Sequence, residues 1–546
     1  MRALIALSII WCCFLLHALF LCTVIPLWEG YDEYSHFAVI QWFAQHPGLP
    51  DGTMNSSLEV AESRSLVPAG DWTAADHSQG LLSYEDYWRL PPAERDQLRT
   101  RLKNIPAAWW TRDAHPPLAL YEAQQPPLYY WITAPVYRMF QTSSLLTRIW
   151  ILRCITAIMA SLVIPAGYFA ARQICGGTMI PLGIALIIAS MPELYISVCR
   201  VSNEGLAIGL GGVAVLALLR LHHLPPSATR GVWTGIILGA TLLSKAYFLV
   251  LLPLTLVAFA RAWYRDPAVR KKALVELLIV LTICLAICGW WYGRNLALTH
   301  SLTGEQTDVA ANATKMFSLP QAVVKTPWLH VFDFMFVSYI WVGDGSFLVA
   351  RSWMYRVVEC LWILALLGML AQLVRWRGAR DTQLDLLLVL LAPMLLLLAL
   401  CFHAVQAMQS TGVPGTLGHY LYALVVPEAI LLAVGLERWL PARWRALPVP
   451  ILVTVFVGLD IFTTWFLLLP YYTGFIQHDA HGGLRALHAG QFAHGGLSLM
   501  FERLLVNGPQ FLSAAGVAFM AATGLLATGI LVGMSCWIAK TGEQFK

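Results

Sequence analysis

Charge is what this sequence has least of. Only 12% of its 546 residues are Asp, Glu, Lys or Arg, and mean hydropathy is +0.63. Soluble domains carry roughly twice that charged fraction, so an ordinary soluble enzyme is excluded. The net charge of +5 is small and unevenly spread, which speaks for orientation in a membrane and against nucleic-acid binding. Cysteine is sparse too. The eleven cysteines lie almost entirely in apolar runs (Cys12, Cys13, Cys22, Cys284, Cys288, Cys401) and none falls in a long polar loop. A disulfide framework or a Cys-based zinc site is therefore not expected. Internal repeats and low-complexity segments are absent from the sequence, which weighs against an inverted-repeat transporter.

What is present is apolar sequence: 58% of the chain is hydrophobic. Runs long enough for a hydrocarbon core of roughly 30 Å cover 3–27, 126–141, 145–171, 178–198, 205–221, 231–260, 273–293, 354–374, 384–405, 419–436, 447–469 and 511–538. The fold class expected is an all-α polytopic membrane protein with about 12 (roughly 11–13) transmembrane helices. The first run lacks a small-residue cleavage site before Trp28 and reads as a retained helix rather than a signal peptide. The 231–260 run is open to two readings, since Lys245 at its middle and Pro253 after it allow one long span or two short ones.

Positive clusters at Arg261/Arg265/Arg270/Lys271/Lys272, Arg375/Arg377/Arg380 and Arg438/Arg443/Arg445 follow even-numbered runs if the N-terminus is inside. The loops 28–125, 294–353, 406–418 and 470–510 are then all outside, and the first, the longest, is expected to contain interfacial helices. Residues 1–440 read as a transmembrane catalytic module, and 441–546 as C-terminal helices carrying the 470–510 loop.

The first polar motif is "WEGYDEYSHF", 28–37. If 31–46 is an interfacial helix, Asp32 and His36 share a face, and His36 can orient or polarise Asp32. Otherwise Asp32 and Glu33 merely cap the helix. In "YEAQQPPLYYWITAPVYR", 121–138, Pro126 and Pro127 start a helix anchored by interfacial aromatics. In "GWWYGRNLALTHSLTGEQ", 289–306, Arg294 sits at the outer end of a span, where it either snorkels or holds a lipid phosphate bidentately. In "GTLGHYLYALVVP", 415–427, His419 and Tyr420 open a helix whose N-terminus favours anions. Lys245 and Glu193 inside apolar runs require protein partners or a cavity. The histidines at 478, 481, 488 and 494 fit no zinc spacing and read as a flexible polar loop.

Taken in order, these motifs resemble the GT-C class of membrane glycosyltransferases, which use polyprenyl-phosphate-linked sugars. The resemblance is carried by "DEYSHF", "QQPPLYYW", "VSNEGLAIGL", "GATLLSKAYFLVLLP", "GWWYGRNLALTHSLTG" and "GHYLYALVVP", spread over residues 3 to about 440. It departs at His419, where relatives have Arg. The resemblance implies an inverting transferase in a bacterial inner membrane, its site facing the periplasm, acting on a glycan, lipid or protein acceptor. Asp32 would be the general base, assisted by Glu33. Arg294, Lys245, His419 and Tyr420 would hold the donor phosphate, and His36, Trp109, Trp110 and Gln125 the substrates. Some members use a divalent metal (Mg or Mn) and others none; here Asp32 and Glu33 would hold it. Two rivals remain, a transporter or flippase and an O-antigen-type polymerase or ligase.

Overall fold

The computed structural model describes residues 1–50, 54–70, 81–107, 118–265, 267–304, 316–375, 380–479, 483–492, 495–509 and 511–544. Its elements follow from the apolar runs and from the residues that interrupt them. Helix α1 (Arg2–Val24) leads to α2 (Glu33–Gln45). The rest of the first loop contributes short helices and one two-residue parallel ladder, Pro68–Ala69 beside Leu82–Ser83. Then come α3 (Leu128–Met139), α4 (Leu145–Ser161), α5 (Val163–Cys175), α6 (Met179–Ser190), α7 (Pro192–Val198), α8 (Asn203–His223), α9 (Ala228–Leu242) and α10 (Leu251–Arg265). The second half holds α11 (Arg270–Thr299), α12 (Trp328–Ile340), α13 (Ser352–Arg375), α14 (Arg380–Thr411), α15 (Val425–Glu437), α16 (Pro448–Thr463) and α17 (Ala514–Gln544).

Among the described residues nine helices are long and apolar enough to cross a membrane, or ten if the α6–α7 pair, bent by 63° at Met191–Pro192, is one span. This is a multi-pass integral membrane protein. The count of nine falls below the twelve expected because three runs do not form single long helices: the bent α6–α7 pair and two others. Residues 126–141 give only the 12-residue α3, too short at 1.5 Å per residue for a hydrocarbon core, and α3 packs on α2. The 231–260 run breaks into α9, a 3-10 turn (Ala246–Val250) and α10, with Lys245 at the break. Lys245 is thus a turn residue and not a mid-span charge.

The direction of the middle helices follows from their end contacts. Arg153, in the middle of α4, donates to the carbonyls of Ile25 (2.5 Å) and Pro26 (2.7 Å) just past the end of α1. Helix α4 therefore starts on the face where α1 ends, and α3 does not cross. At the start of α8, Ser202 caps the helix by accepting from Glu204 N, and Lys245 meets Glu204 there. At its far end His222 and His223 meet Asp385 near the start of α14. Helix α8 consequently runs opposite to the direction the alternating count assigns to 205–221. Close packing of α8 on α4 depends on Gly205 and Gly209, where a Cβ would come within 2.4 Å of Thr156 Cγ2 and 2.2 Å of Met159 O.

The long loops nevertheless share one face. Glu29 contacts the 344–346 turn, Trp88 Nε1 donates to Tyr472 O, and His419 lies beside Arg200. Helix α17 packs along α1 and α16, so the C-terminal helices join the same body.

Candidate functional site

Where α1 ends, the chain turns through 25–32 before α2 begins. Asp32 occupies the N-cap position of α2 in the left-handed region (φ 52°, ψ 17°), a conformation that costs a non-glycine residue roughly 1–3 kcal/mol. Its carbonyl accepts from Ser35 N and His36 N, both at 2.9 Å, but its side chain makes no cap hydrogen bond. Asp32 as a residue is half-buried, and the charges acting on its carboxylate are Arg200, Lys245 and Arg64. Burial pushes its pKa up, and these three cations pull the other way.

Glu33 has a different environment. Arg153 Nε and Nη2 donate to its two oxygens at 2.7 and 2.5 Å, and Val201 N donates at 2.9 Å, with the side chain fully buried. The adjacent acids of the motif therefore serve separate partners. Glu29 is engaged as well, accepting from Ser346 N (2.7 Å) and Tyr84 Oη (2.8 Å); burial, with Asp344 nearby, pushes it up to about 8.

Across from Asp32 stands a polar wall built by the start of α8 and the α9–α10 break. Lys245 Nζ lies 2.6 Å from Glu204 Oε1 and donates to Asn203 Oδ1 at 2.8 Å, while Tyr247 Oη donates to Glu204 Oε2. Asn203 Nδ2 donates to Gln125 Oε1 at 3.3 Å. Glu122, whose amide donates to Ser35 Oγ, has one carboxyl oxygen buried and without a hydrogen-bond partner among the described residues. Burial, reinforced by the charge of Asp32, pushes Glu122 up to about 8. Tyr420 closes this wall, its ring 5.7 Å from Lys245 Nζ.

His36 does not address Asp32. Its Nδ1 pairs with Tyr130 Oη at 2.8 Å and its Nε2 faces Ser202 Oγ at 3.4 Å, while burial and the charges of Lys245 and Arg200 hold it well below its ordinary pKa. His419 is also not the cation expected. Arg200 Nη2 lies 3.3 Å from its Nε2, and a guanidinium can only donate, so the ring accepts there and carries its proton on Nδ1. The cation at this position is Arg200 itself, paired with Asp344 at 3.2 Å and lying over the Tyr31 ring at 5.0 Å.

Arg294 stands at the edge of the site. Tyr292 Oη donates to Leu242 O, which brings the end of α11 beside the 242–245 turn. The Arg294 guanidinium lies over Trp291 at 5.2 Å and has no acidic partner among the described residues. Trp109 and Trp110 fall outside the described residues, as do His481 and His494; His478 pairs with Glu85 at 3.1 Å.

The structure thus brings Asp32, His36, Gln125, Lys245, His419 and Tyr420 together, with Glu33 turned away into its own pair. Sequence reasoning missed Arg200, Asp344, Glu29, Glu122, Glu204 and Arg153. Arg200 directly precedes "VSNEG", and Asp344 sits in "VGDGSF", a Gly-Asp-Gly turn signal; both were readable as polar breaks in apolar surroundings. Asp32 and Glu33 do not fit a divalent ion, because both Glu33 oxygens are occupied by Arg153. No group of three His, Cys, Asp or Glu side chains is placed to hold one among the described residues.

No family model matches this sequence, and no curated protein does. Among solved structures the chain is similar to ArnT from Cupriavidus metallidurans in the apo state, at 16% identity and a TM-score of 0.37, over 76% of this chain and 67% of that one. It is also similar to the Archaeoglobus fulgidus oligosaccharyltransferase tethered to an acceptor peptide, at 12% identity and a TM-score of 0.38, over 97% of this chain and 55% of that one. The apo form of the latter gives 12% identity and a TM-score of 0.36. The chain spans about half the length of the archaeal enzyme. Likeness at this level does not decide a family.

Proposed function

We propose that this protein is a membrane glycosyltransferase of the GT-C type, moving a sugar from a polyprenyl-phosphate donor to a glycan, lipid or protein acceptor. One observation carries the reading: a half-buried residue, Asp32, held on strained backbone just past the end of α1 and surrounded by cations. A lipid-borne donor and an aqueous acceptor meet at that depth.

Asp32 takes the proton from an acceptor hydroxyl as its oxygen attacks the anomeric carbon from the face opposite the phosphate. The bond between that carbon and the phosphate oxygen breaks, the phosphate leaves with the electron pair, and the configuration inverts. A pKa raised by burial makes Asp32 a stronger base than a solvated Asp, and such catalysis is worth roughly 10²–10⁴-fold. Lys245 and Arg294 are the cations for the departing phosphate: Lys245 is oriented by Asn203 and Glu204, and Arg294 has no acidic partner among the described residues. Tyr420 and Gln125 flank the sugar, and His36, neutral, fixes Tyr130 rather than acting on Asp32. No step requires a metal ion.

Purified protein in proteoliposomes, offered a panel of radiolabelled polyprenyl-phosphate sugars, should transfer label to an envelope-extract acceptor. Failure with every donor, from protein that is folded, rejects the reading. The site is proposed to face the periplasm of a bacterial inner membrane. A single cysteine placed at position 95 should then react with an impermeant maleimide in intact cells, and one at position 271 should not; the reverse pattern puts the site on the cytoplasmic face.

A further inference from the structure

Two segments more than three hundred residues apart share a feature that non-glycine residues rarely show. Trp28 (φ 63°) and Asp32 (φ 52°) in the first, and Asp344 (φ 55°) and Phe347 (φ 50°) in the second, all lie in the left-handed region. His300 is the one further such residue among those described. Isolated residues of this kind persist only where the surroundings over-determine them. Here each segment supplies the surroundings of the other. Tyr31 N donates to Asp344 Oδ1 at 3.1 Å, Gly345 N donates to Glu29 O at 2.9 Å, and Ser346 N donates to Glu29 Oε1 at 2.7 Å. The Tyr31 and Phe347 rings meet edge-on at 5.2 Å.

Asp344 joins this contact to the rest of the site. One carboxylate oxygen takes both the Tyr31 amide and Arg200 Nη1, and the side chain is fully buried. Gly345 is required at the seam, since a Cβ there would come within 2.3 Å of Glu29 O. The residue whose amide is held, Tyr31, immediately precedes Asp32.

We propose that Asp344 is a positioning residue for Asp32: through the Tyr31 amide and Arg200 it locks the 28–33 turn in the strained form that aims the Asp32 carboxylate into the site. The inference rests on the reading of Asp32 as general base. A reacting group displaced by about 1 Å can lose roughly 10²-fold in rate, so the lock acts on turnover and not on donor affinity.

The test uses Asp344→Ala and, because that variant leaves Arg200 buried without its partner, Gly345→Ala as well, which keeps Asp344 and pushes the seam apart. Hydrogen exchange of purified full-length protein in nanodiscs should show peptides covering 29–33 exchanging at least 10-fold faster in both variants, with the spans unaffected. In the proteoliposome assay with a polyprenyl-phosphate sugar, kcat should fall roughly 10²-fold while KM for the donor changes less than about threefold, and Asp344→Asn, which keeps an acceptor for the Tyr31 amide, should recover part of the loss. Unchanged exchange at 29–33 in both variants overturns the proposal, and so does a rise in KM at constant kcat. If wild-type protein transfers no sugar, the glycosyltransfer reading fails on its own, and the exchange data still decide whether the lock exists.

Discussion

Buried ionisable groups occur in two settings in this molecule, and they are built differently. In the helical body His17 of α1 meets Asp460 of α16 at 3.0 Å, and His222 and His223 of α8 meet Asp385 of α14 at 3.1 and 3.0 Å. These groups stand on regular helices and face each other. On the loop face Asp32 stands on strained backbone, partly open, among Arg200, Lys245 and Arg64. A matched pair in a helical interior is an attachment between helices. A carboxylate with cations around it and no side-chain cap bond among the described residues is available for chemistry. By this criterion Glu33, although adjacent to Asp32, belongs with the body pairs.

That division can be broken most directly at Asp32. Asp32→Asn should lower sugar transfer by roughly 10²–10⁴-fold while the melting temperature of the purified protein stays within error of wild type. Near-normal transfer by that variant would return Asp32 to the role of a helix-start residue. Glu33→Gln should do the opposite. Removing the partner of buried Arg153 should cost roughly 3–5 kcal/mol of stability, seen as a lower melting point, with turnover per folded molecule reduced far less than in Asp32→Asn. A stable Glu33→Gln protein without activity would move Glu33 into the reacting set.

Arg294 should give an intermediate effect. Arg294→Ala should weaken transfer about tenfold, and Arg294→Lys should retain more, because it keeps the charge and loses only the two-pronged donor. Equal rates for all three proteins would make Arg294 an interfacial anchor.

The smallest effect is a pH dependence. Glu122 is held up at about 8, against an ordinary 4.5. The folded protein thus keeps this proton more tightly than the unfolded chain, and stability is lost as pH rises through that window. Glu122→Gln, neutral throughout, should melt like wild type at about pH 4.5 and above it at about pH 8.5. A melting difference that does not change with pH would mean that Glu122 is ionised in the fold.

The spans built on long apolar windows, such as α11, α13 and α14, were legible because a hydrocarbon core needs about 20 apolar residues and leaves that mark. The run at 126–141 carried the same composition over too few residues, so composition alone misread α3 and reversed α4 through α8. The gathering of the long loops on one face survived, because the break at Lys245 restores the alternation that α3 removes. In the site, Asp32 and Tyr420 were readable as polar positions at span ends, and Lys245 as a charge in the middle of a run. Their partners were not. Arg200 and Asp344 are 144 positions apart, and Glu33 and Arg153 are 120 apart. Only the packed helices decide that Glu33 is spoken for and that His419 is an acceptor.

The tie from Arg153 to the carbonyls of Ile25 and Pro26 also orders events during synthesis. The turn after α1 emerges from the ribosome long before Arg153, and the first loop must wait outside the hydrocarbon core until α4 arrives to bind it. Arg200 follows, then Lys245, and the bonds from 344–346 to Glu29 and Tyr31 come later still. Until residue 344 is made the nascent chain therefore carries an acidic turn that is held only in part, and a chain that stops short of that residue never completes its site.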